Sequence, residues 1–391
     1  MSIGVHRWLN YFAFSWVGKS AWPGFDVGVS DSKRRTNQPA VPQVLPETWK
    51  ALLAAADDFN RLAPWVWMHD SYIVGLRHPV TQEVLLASIL GRLRTLFALL
   101  VYRRAAGHRW LLNTILNDGD SGGLEREDSA YEQDAIKVEF TPKRVLWKED
   151  RALMAAAGYA PTVKRGNGWP LFRSLVPGGF PWHITQIEAE TLLFALPRVA
   201  AVARLVREYP EVWESRLDGD VAFLPDDFDP AAAELSGEQL DWHPMIPPPG
   251  PPPDLVSFDE PTLTRLHKLT HAKGFHLEVD LGYSTMAVAD VDRPRFPKLA
   301  LAVDRASGFI GGLLLSEITD RDGAATLGIV LLNALTQSGH RPETIRVQRS
   351  RVAAMLSGVA KELDIPVHLD VELAELNAAR QSIEHDFNRR R

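Results

Sequence analysis

From residue 47 the apolar positions Trp49, Leu52, Leu53, Ala56 and Phe59 recur at three- and four-residue spacing, which predicts an amphipathic helix over Glu47 to Leu62. Pro64 ends it, because the residue before a proline is pushed out of the helical region. Short apolar runs follow at Trp65 to Met68, Tyr72 to Leu76 and Val84 to Leu90, parted by turn residues at His78-Pro79 and Gly91, and are expected as strands. Thr95 to Tyr102 reads as another strand and Arg109 to Leu116 as helix, giving a small α+β module that closes near residue 117. Asp150 to Ala157 predicts a short helix closed by Gly158. Thr185 to Glu208 predicts a long one, with Thr185 and Glu188 at capping-box spacing and Pro197 placed to kink it.

The run Pro247-Pro248-Pro249-Gly250-Pro251-Pro252-Pro253 favours extended polyproline II and reads as a semi-rigid spacer. Beyond it the pattern predicts strands at Phe275 to Ala289, Lys298 to Val303 and Phe309 to Leu315. A helix at Ala325 to Gln337, a strand at Thr344 to Val347 and a helix at Arg351 to Leu363 come next. A strand at Val367 to Leu369 and a helix at Glu372 to Phe387 complete the order βββαβαβα. Tight turns and then helix–strand alternation imply a mixed sheet flanked by helices. The fold class expected is α/β and α+β. Its divisions are an irregular arm over 1–45, an α+β domain over 46–128, a mainly helical linking region over 129–246, a proline-rich linker over 247–258 and a mixed-sheet domain over 259–391.

Composition narrows the function. The chain has 391 residues, ample for two or three cores, with 46% hydrophobic and 24% charged residues, as in an ordinary globular protein. The absence of cysteine excludes disulfides, thiolate zinc sites, iron–sulfur clusters and cysteine nucleophiles, and is compatible with the cytoplasm. The apolar run Trp8 to Val17 is interrupted by Asn10 and Ser15 and reads as neither membrane span nor secretion signal. Net charge is −6, with 17 Lys or Arg against 18 Asp or Glu over 259–391 and 26 against 31 elsewhere, so neither part has a strong nucleic-acid signature. No membrane partner is expected, and a protein partner is.

Two stretches carry a resemblance. Pro64-Trp65-Val66-Trp67-Met68 with Asp70, then Phe172-Arg173-Ser174 and Pro177-Gly178-Gly179-Phe180-Pro181-Trp182, form the first. The run Leu299 to Gly308, with the last strand and helix, forms the second. Together they resemble a bacterial family of paired domains of unknown function over residues 46–390. The C-terminal element order, with Asp280 on its first strand and the Val303 to Gly308 hairpin, is also similar to the ribonuclease H and retroviral-integrase superfamily. That resemblance implies carboxylates on the first strand, just after the fourth strand and on a late helix, which hold two metal ions for phosphodiester cleavage. Asp280 matches the first and Glu384 the third, but Gln348 stands at the second, where a neutral amide holds cations poorly. Asp304 is either a replacement ligand or a turn residue accepting local backbone hydrogen bonds, and the turn role is favoured.

Other motifs have bland readings. Gly119-Asp120-Ser121-Gly122-Gly123 copies a serine-protease nucleophile segment, but without its histidine context it reads as a loop. His267 and His271 are four apart on an expected helix, a metal-capable spacing that more simply is a solvated face. His69-Asp70 beside two tryptophans suggests a catalytic pair, weakened because strand neighbours point to opposite faces. Lys33-Arg34-Arg35 and Arg389-Arg390-Arg391 are weak phosphate candidates, by default solvated tails.

The expectation is a non-catalytic binding or scaffold protein with a degenerate ribonuclease H-like domain and no cofactor. The alternative is a nuclease in which Asp280, Asp304 and Glu384 hold magnesium. A second alternative is a small-ligand or interface site at Trp65, Trp67, Asp70, Phe172, Arg173 and Trp182, since clustered aromatics either line a cleft or fill a core.

Overall fold

The computed structural model describes residues 41–116, 128–163, 166–216, 219–289, 292–317, 319–320 and 322–389. Within these, 41–116 with 132–250 form one compact unit, and 128–131 with 251–389 form a second.

The first unit is a seven-stranded sheet. Its strands are β1 (Ile73–Arg77), β2 (Val84–Leu90), β3 (Ala98–Tyr102), β4 (Ala135–Thr141), β5 (Trp169–Leu175), β6 (Asp220–Phe223) and β7 (Asp241–Pro244). They lie in the order β5-β4-β3-β2-β1-β6-β7, antiparallel throughout except for the parallel pair β1–β6. Helices α1 (Pro46–Leu62), α2 (Arg104–Leu116), α3 (Lys148–Ala156), α4 (Gln186–Glu208) and α5 (Glu211–Glu214) accompany it. On β3 the two-residue period is plain: Leu99 and Val101 join the core under α1 and α4, whereas Ala98, Leu100 and Tyr102 join the one under α2. Burial on both faces explains why this strand is apolar at every position.

Several expectations are corrected. Pro64–Val66 is a 3-10 turn, not a strand, with Trp67 N and Met68 N both donating to Pro64 O; the fixed φ of proline wins over the strand propensity of the tryptophans. Residues 129–246 are not a helical linker. Strands β4 and β5 extend the first sheet on one side and β6 and β7 on the other, so the module does not close near 117. The Thr185–Glu188 capping box forms, and α4 runs on through Pro197 to Glu208.

The second unit holds β8 (Thr270–Tyr283), β9 (Lys298–Asp304), β10 (Ile310–Leu315), β11 (His340–Val347) and β12 (Val367–Leu369), in the order β10-β9-β8-β11-β12. The first three are mutually antiparallel, and β11 runs parallel to both β8 and β12. Its helices are α6 (Glu260–His267), α7 (Ala324–Ser338), α8 (Ser350–Glu362) and α9 (Ala374–Arg389). Leu277, Val279 and Leu281 of β8 face α7 and α8 in the main core; on the opposite face Leu301 and Val303 of β9 meet Leu373, just before α9, and Leu376 of α9. Here β8 and β11 both start earlier than expected, and β8 ends at Tyr283, short of the expected Ala289, while the other elements lie close to their expected places. Residues 254–258, expected as linker, pack into this unit: Val256 is buried in its core and donates to Met355 O at 2.8 Å. His267 ends α6 and His271 lies on β8, so they share no helix face.

Helix α7 lies so close on β10 that a Cβ at Gly312 would stand 2.5 Å from the Val330 carbonyl oxygen. A main-chain atom cannot swing aside, so Gly312→Ala is expected to cost about 1–3 kcal/mol through overpacking, read as a lower urea midpoint with the far-UV spectrum retained.

Candidate functional site

Alternation along β8 sends Glu278, Asp280 and Gly282 to the α9 face, so the buried, otherwise apolar half of this central strand from Leu277 on carries two carboxylates inward. Asp280 is 0% exposed. One of its oxygens, Oδ2, accepts from both Arg349 Nη1, just beyond β11, and Arg380 Nη2 on α9. Arg349 also donates from Nε to Asp128 Oδ2 at 2.7 Å, and Asp128 Oδ1 accepts from Tyr283 N at 3.1 Å. The Arg349 guanidinium lies across the strand: a Cβ at Gly282 would be 2.5 Å from its Nη2. Burial pulls the Arg349 pKa down, but Asp280 and Asp128 more than offset it and hold the group above its usual value. Burial raises the Asp128 carboxyl despite Arg349. Glu278 is likewise raised by burial, and it caps α9 by accepting from Leu376 N at 2.9 Å.

The expected metal set does not assemble. Asp280 pairs with Leu301 and Asp304 with Leu277, three rows away, or about 10 Å at strand spacing. An odd number of rows also turns Asp304 to the opposite face. It holds its own hairpin, accepting from Ala306 N at 3.1 Å and from the Ser307 hydroxyl, the turn role that the sequence favoured. Glu384 sits one helical turn beyond Arg380 on α9. Arg346 pairs with Glu278, so Gln348 falls alongside Asp280. It donates to Val371 O at 2.7 Å and carries no charge to the site. Among the described residues no three His, Asp or Glu side chains are grouped so as to hold a metal ion.

The six aromatic and polar candidates of the first unit separate into two groups. Trp65, 8% exposed, packs among Phe59, Phe97 and Phe140 at 5.2–6.3 Å between ring centres and is a core residue, not a cleft wall. Trp67 donates to Ala203 O of α4 at 2.8 Å. Asp70 is buried, and its carbonyl accepts from the buried Ser88 hydroxyl at 2.7 Å. The second group does converge. Phe172 packs edge-on to Trp49 at 5.2 Å, while Arg173 grips Asp150 of α3 through two hydrogen bonds of 2.9 and 2.7 Å. Its guanidinium lies 3.8 Å over the Trp147 ring, and the Trp182 ring stands 5.9 Å from Trp147. A small adjacent cavity of about 20 Å³ is lined by Trp49, Asp150, Phe172 and His183 among others, enough for a water. The tryptophans of the two motif segments are thus taken up by separate neighbours, Trp65 by the phenylalanine cluster, Trp67 by the Ala203 carbonyl and Trp182 by Trp147.

Arg349, Arg380, Asp128, Asp150 and His183 escaped the sequence reading. One signal was available: Glu-x-Asp-x-Gly at alternate positions of an apolar strand implies buried carboxylates, and these demand cations from elsewhere. Nothing in the sequence says which arginines answer. The Gly119–Gly123 motif, Lys33–Arg35 and Arg390–Arg391 lie outside the described residues, and no helix among the described residues is long and apolar enough to cross a membrane.

His183 gives a pH handle. Burial first, then the Arg173 charge, push its pKa down to about 4, against an opposing pull from Asp150. Between the ordinary value near 6.5 and about 4 the unfolded chain takes up a proton that the folded chain refuses, so stability falls as pH drops through that window. The loss amounts to about 3 kcal/mol. Urea unfolding of His183→Gln from pH 7 to 4 should show a flatter decline than the unaltered chain; equal slopes would contradict the assignment.

Residues 49–223 match the family model of a domain of unknown function, DUF7309, and residues 262–384 match that of a second, DUF6930. No curated protein and no solved structure matches the chain. The chain thus pairs two domains of unknown function, the first match spanning β1 to β6 and the second β8 to β12.

Proposed function

We propose that this chain is a non-catalytic binding or scaffold protein whose second unit is a ribonuclease H-like module with its acidic site converted to a structural charge cluster. The strand order β10-β9-β8-β11-β12, antiparallel for the first three and parallel for β8, β11 and β12, supports the ribonuclease H-like reading. The observation that carries the loss of catalysis is the Asp280 carboxylate, buried and shared between Arg349 and Arg380. Metal-assisted phosphodiester cleavage uses such a carboxylate to bridge cations that activate water and steady the leaving oxygen. Two guanidinium groups supply positive charge in the same place but present no open coordination position. Gln348 alongside and Asp304 on the opposite face support the same reading. No cofactor is required. A cytoplasmic location is part of the proposal and is supported by a chain without cysteine.

The test is an incubation of the full chain with single- and double-stranded DNA and RNA in magnesium or manganese, beside Asp280→Asn. No cutting that distinguishes the two proteins is expected, whereas metal-dependent cleavage abolished in Asp280→Asn would establish the nuclease alternative. The same substitution leaves the buried Arg349 and the half-buried Arg380 guanidiniums sharing a neutral amide, with Asp128 the one remaining carboxylate on Arg349, so it should lower stability by about 3–5 kcal/mol in urea titration.

A further inference from the structure

We propose that residues 128–131 act as an intrachain ligand, and that the surface they occupy on the second unit is a receptor for protein segments presenting a carboxylate and, three residues later, an aromatic ring. This rests on the second unit being a binding module and names the chemistry of what it binds.

Residues 128–131 form a single turn closed by Tyr131 N donating to Asp128 O at 2.9 Å. Side chains three apart on such a turn project from one side, and both engage the second unit. Asp128 reads a paired donor, the Tyr283 amide at 3.1 Å and Arg349 Nε at 2.7 Å. The Tyr131 ring stacks on Tyr283 at 5.0 Å and meets Phe296 edge-on, also at 5.0 Å. The amide is presented for a structural reason. Ser284 N donates to Pro297 O on the β9 side, so the Tyr283 amide points the other way, where β11 has already ended at Val347. The end of a sheet where one parallel neighbour stops is a recurrent place for ligands in α/β folds.

Charge makes the occupant necessary. Asp280 and Asp128 balance Arg349 and Arg380; without Asp128 two guanidiniums share one buried carboxylate, with the Arg349 side chain only 4% exposed. In sequence, however, 128–131 fall between α2 and β4, both in the first unit, while the turn itself packs as part of the second. The anion is thus brought in by a segment foreign to the β8–β12 fold, and its covalent tether gives it a high effective concentration against any free competitor. Carboxylate and ring together specify a peptide, since a bare anion would leave the Tyr283–Phe296 aromatic surface uncovered.

A fluorescein-labelled, capped peptide of residues 128–133, Asp-Ser-Ala-Tyr-Glu-Gln, is titrated by anisotropy into the full chain and into its Asp128→Ala/Tyr131→Ala variant. Saturable binding to the variant is expected, at least about tenfold tighter than to the unaltered chain, whose own segment competes. Peptides with alanine for Asp or Tyr should not bind. Absence of binding to a folded variant, or equal binding to both proteins, overturns the proposal. Should the double variant lose its far-UV spectrum, Tyr131→Ala keeps the four charges balanced and is titrated with the same two outcomes. Cleavage assays on Asp280 report separately on the degenerate site, so the two readings fail independently.

Discussion

A carboxylate on the central strand of a covered sheet has to be neutralised where it stands, and Asp280 sets this condition for the second unit. Taking such a group from water costs several kcal/mol unless cations and hydrogen bonds replace the hydration. Much of the local architecture is organised around that demand. Arg349 is delivered by the turn between β11 and α8, Arg380 by the face of α9 that covers the strand, and Asp128 returns the balance that two arginines would upset. Gly282 leaves the room that the Arg349 guanidinium fills. Glu278, two residues before Asp280, fixes the start of α9 through the Leu376 amide, so the row of acids also positions the helix above it.

The first unit meets similar conditions with different residues. Arg173 and Asp150 form a buried bidentate pair roofed by Trp147. Arg103 links Asp134 to Glu188, and Glu188 accepts from the Ser174 hydroxyl while closing the capping box of α4. The buried charges singled out in both units are each paired with at least one group of opposite sign.

Elements governed by local rules were legible from the chain alone. The stripe of α1, the Thr185–Glu188 cap of α4 and the βββαβαβα order of the second unit follow from periodicity, capping chemistry and turn residues, all of which act within a few positions. Trp65 to Met68 is apolar enough for a strand yet forms none, because strand propensity is weak beside the fixed φ of Pro64. The joining of β4, β5, β6 and β7 to one sheet was hidden because strand partners are chosen by non-local pairing, on which the run of residues between them is silent.

The candidate site divides along the same line. The sequence placed Asp280 on the first strand of the second unit and favoured a turn role for Asp304. Only the tertiary structure decided that Arg349, Arg380 and Asp128 converge on Asp280, and that Asp304 turns away from it. The physical reason is reach: periodicity and turn chemistry are properties of neighbouring residues, whereas neutralising a buried charge selects partners by distance in space, and the fold alone sets those distances.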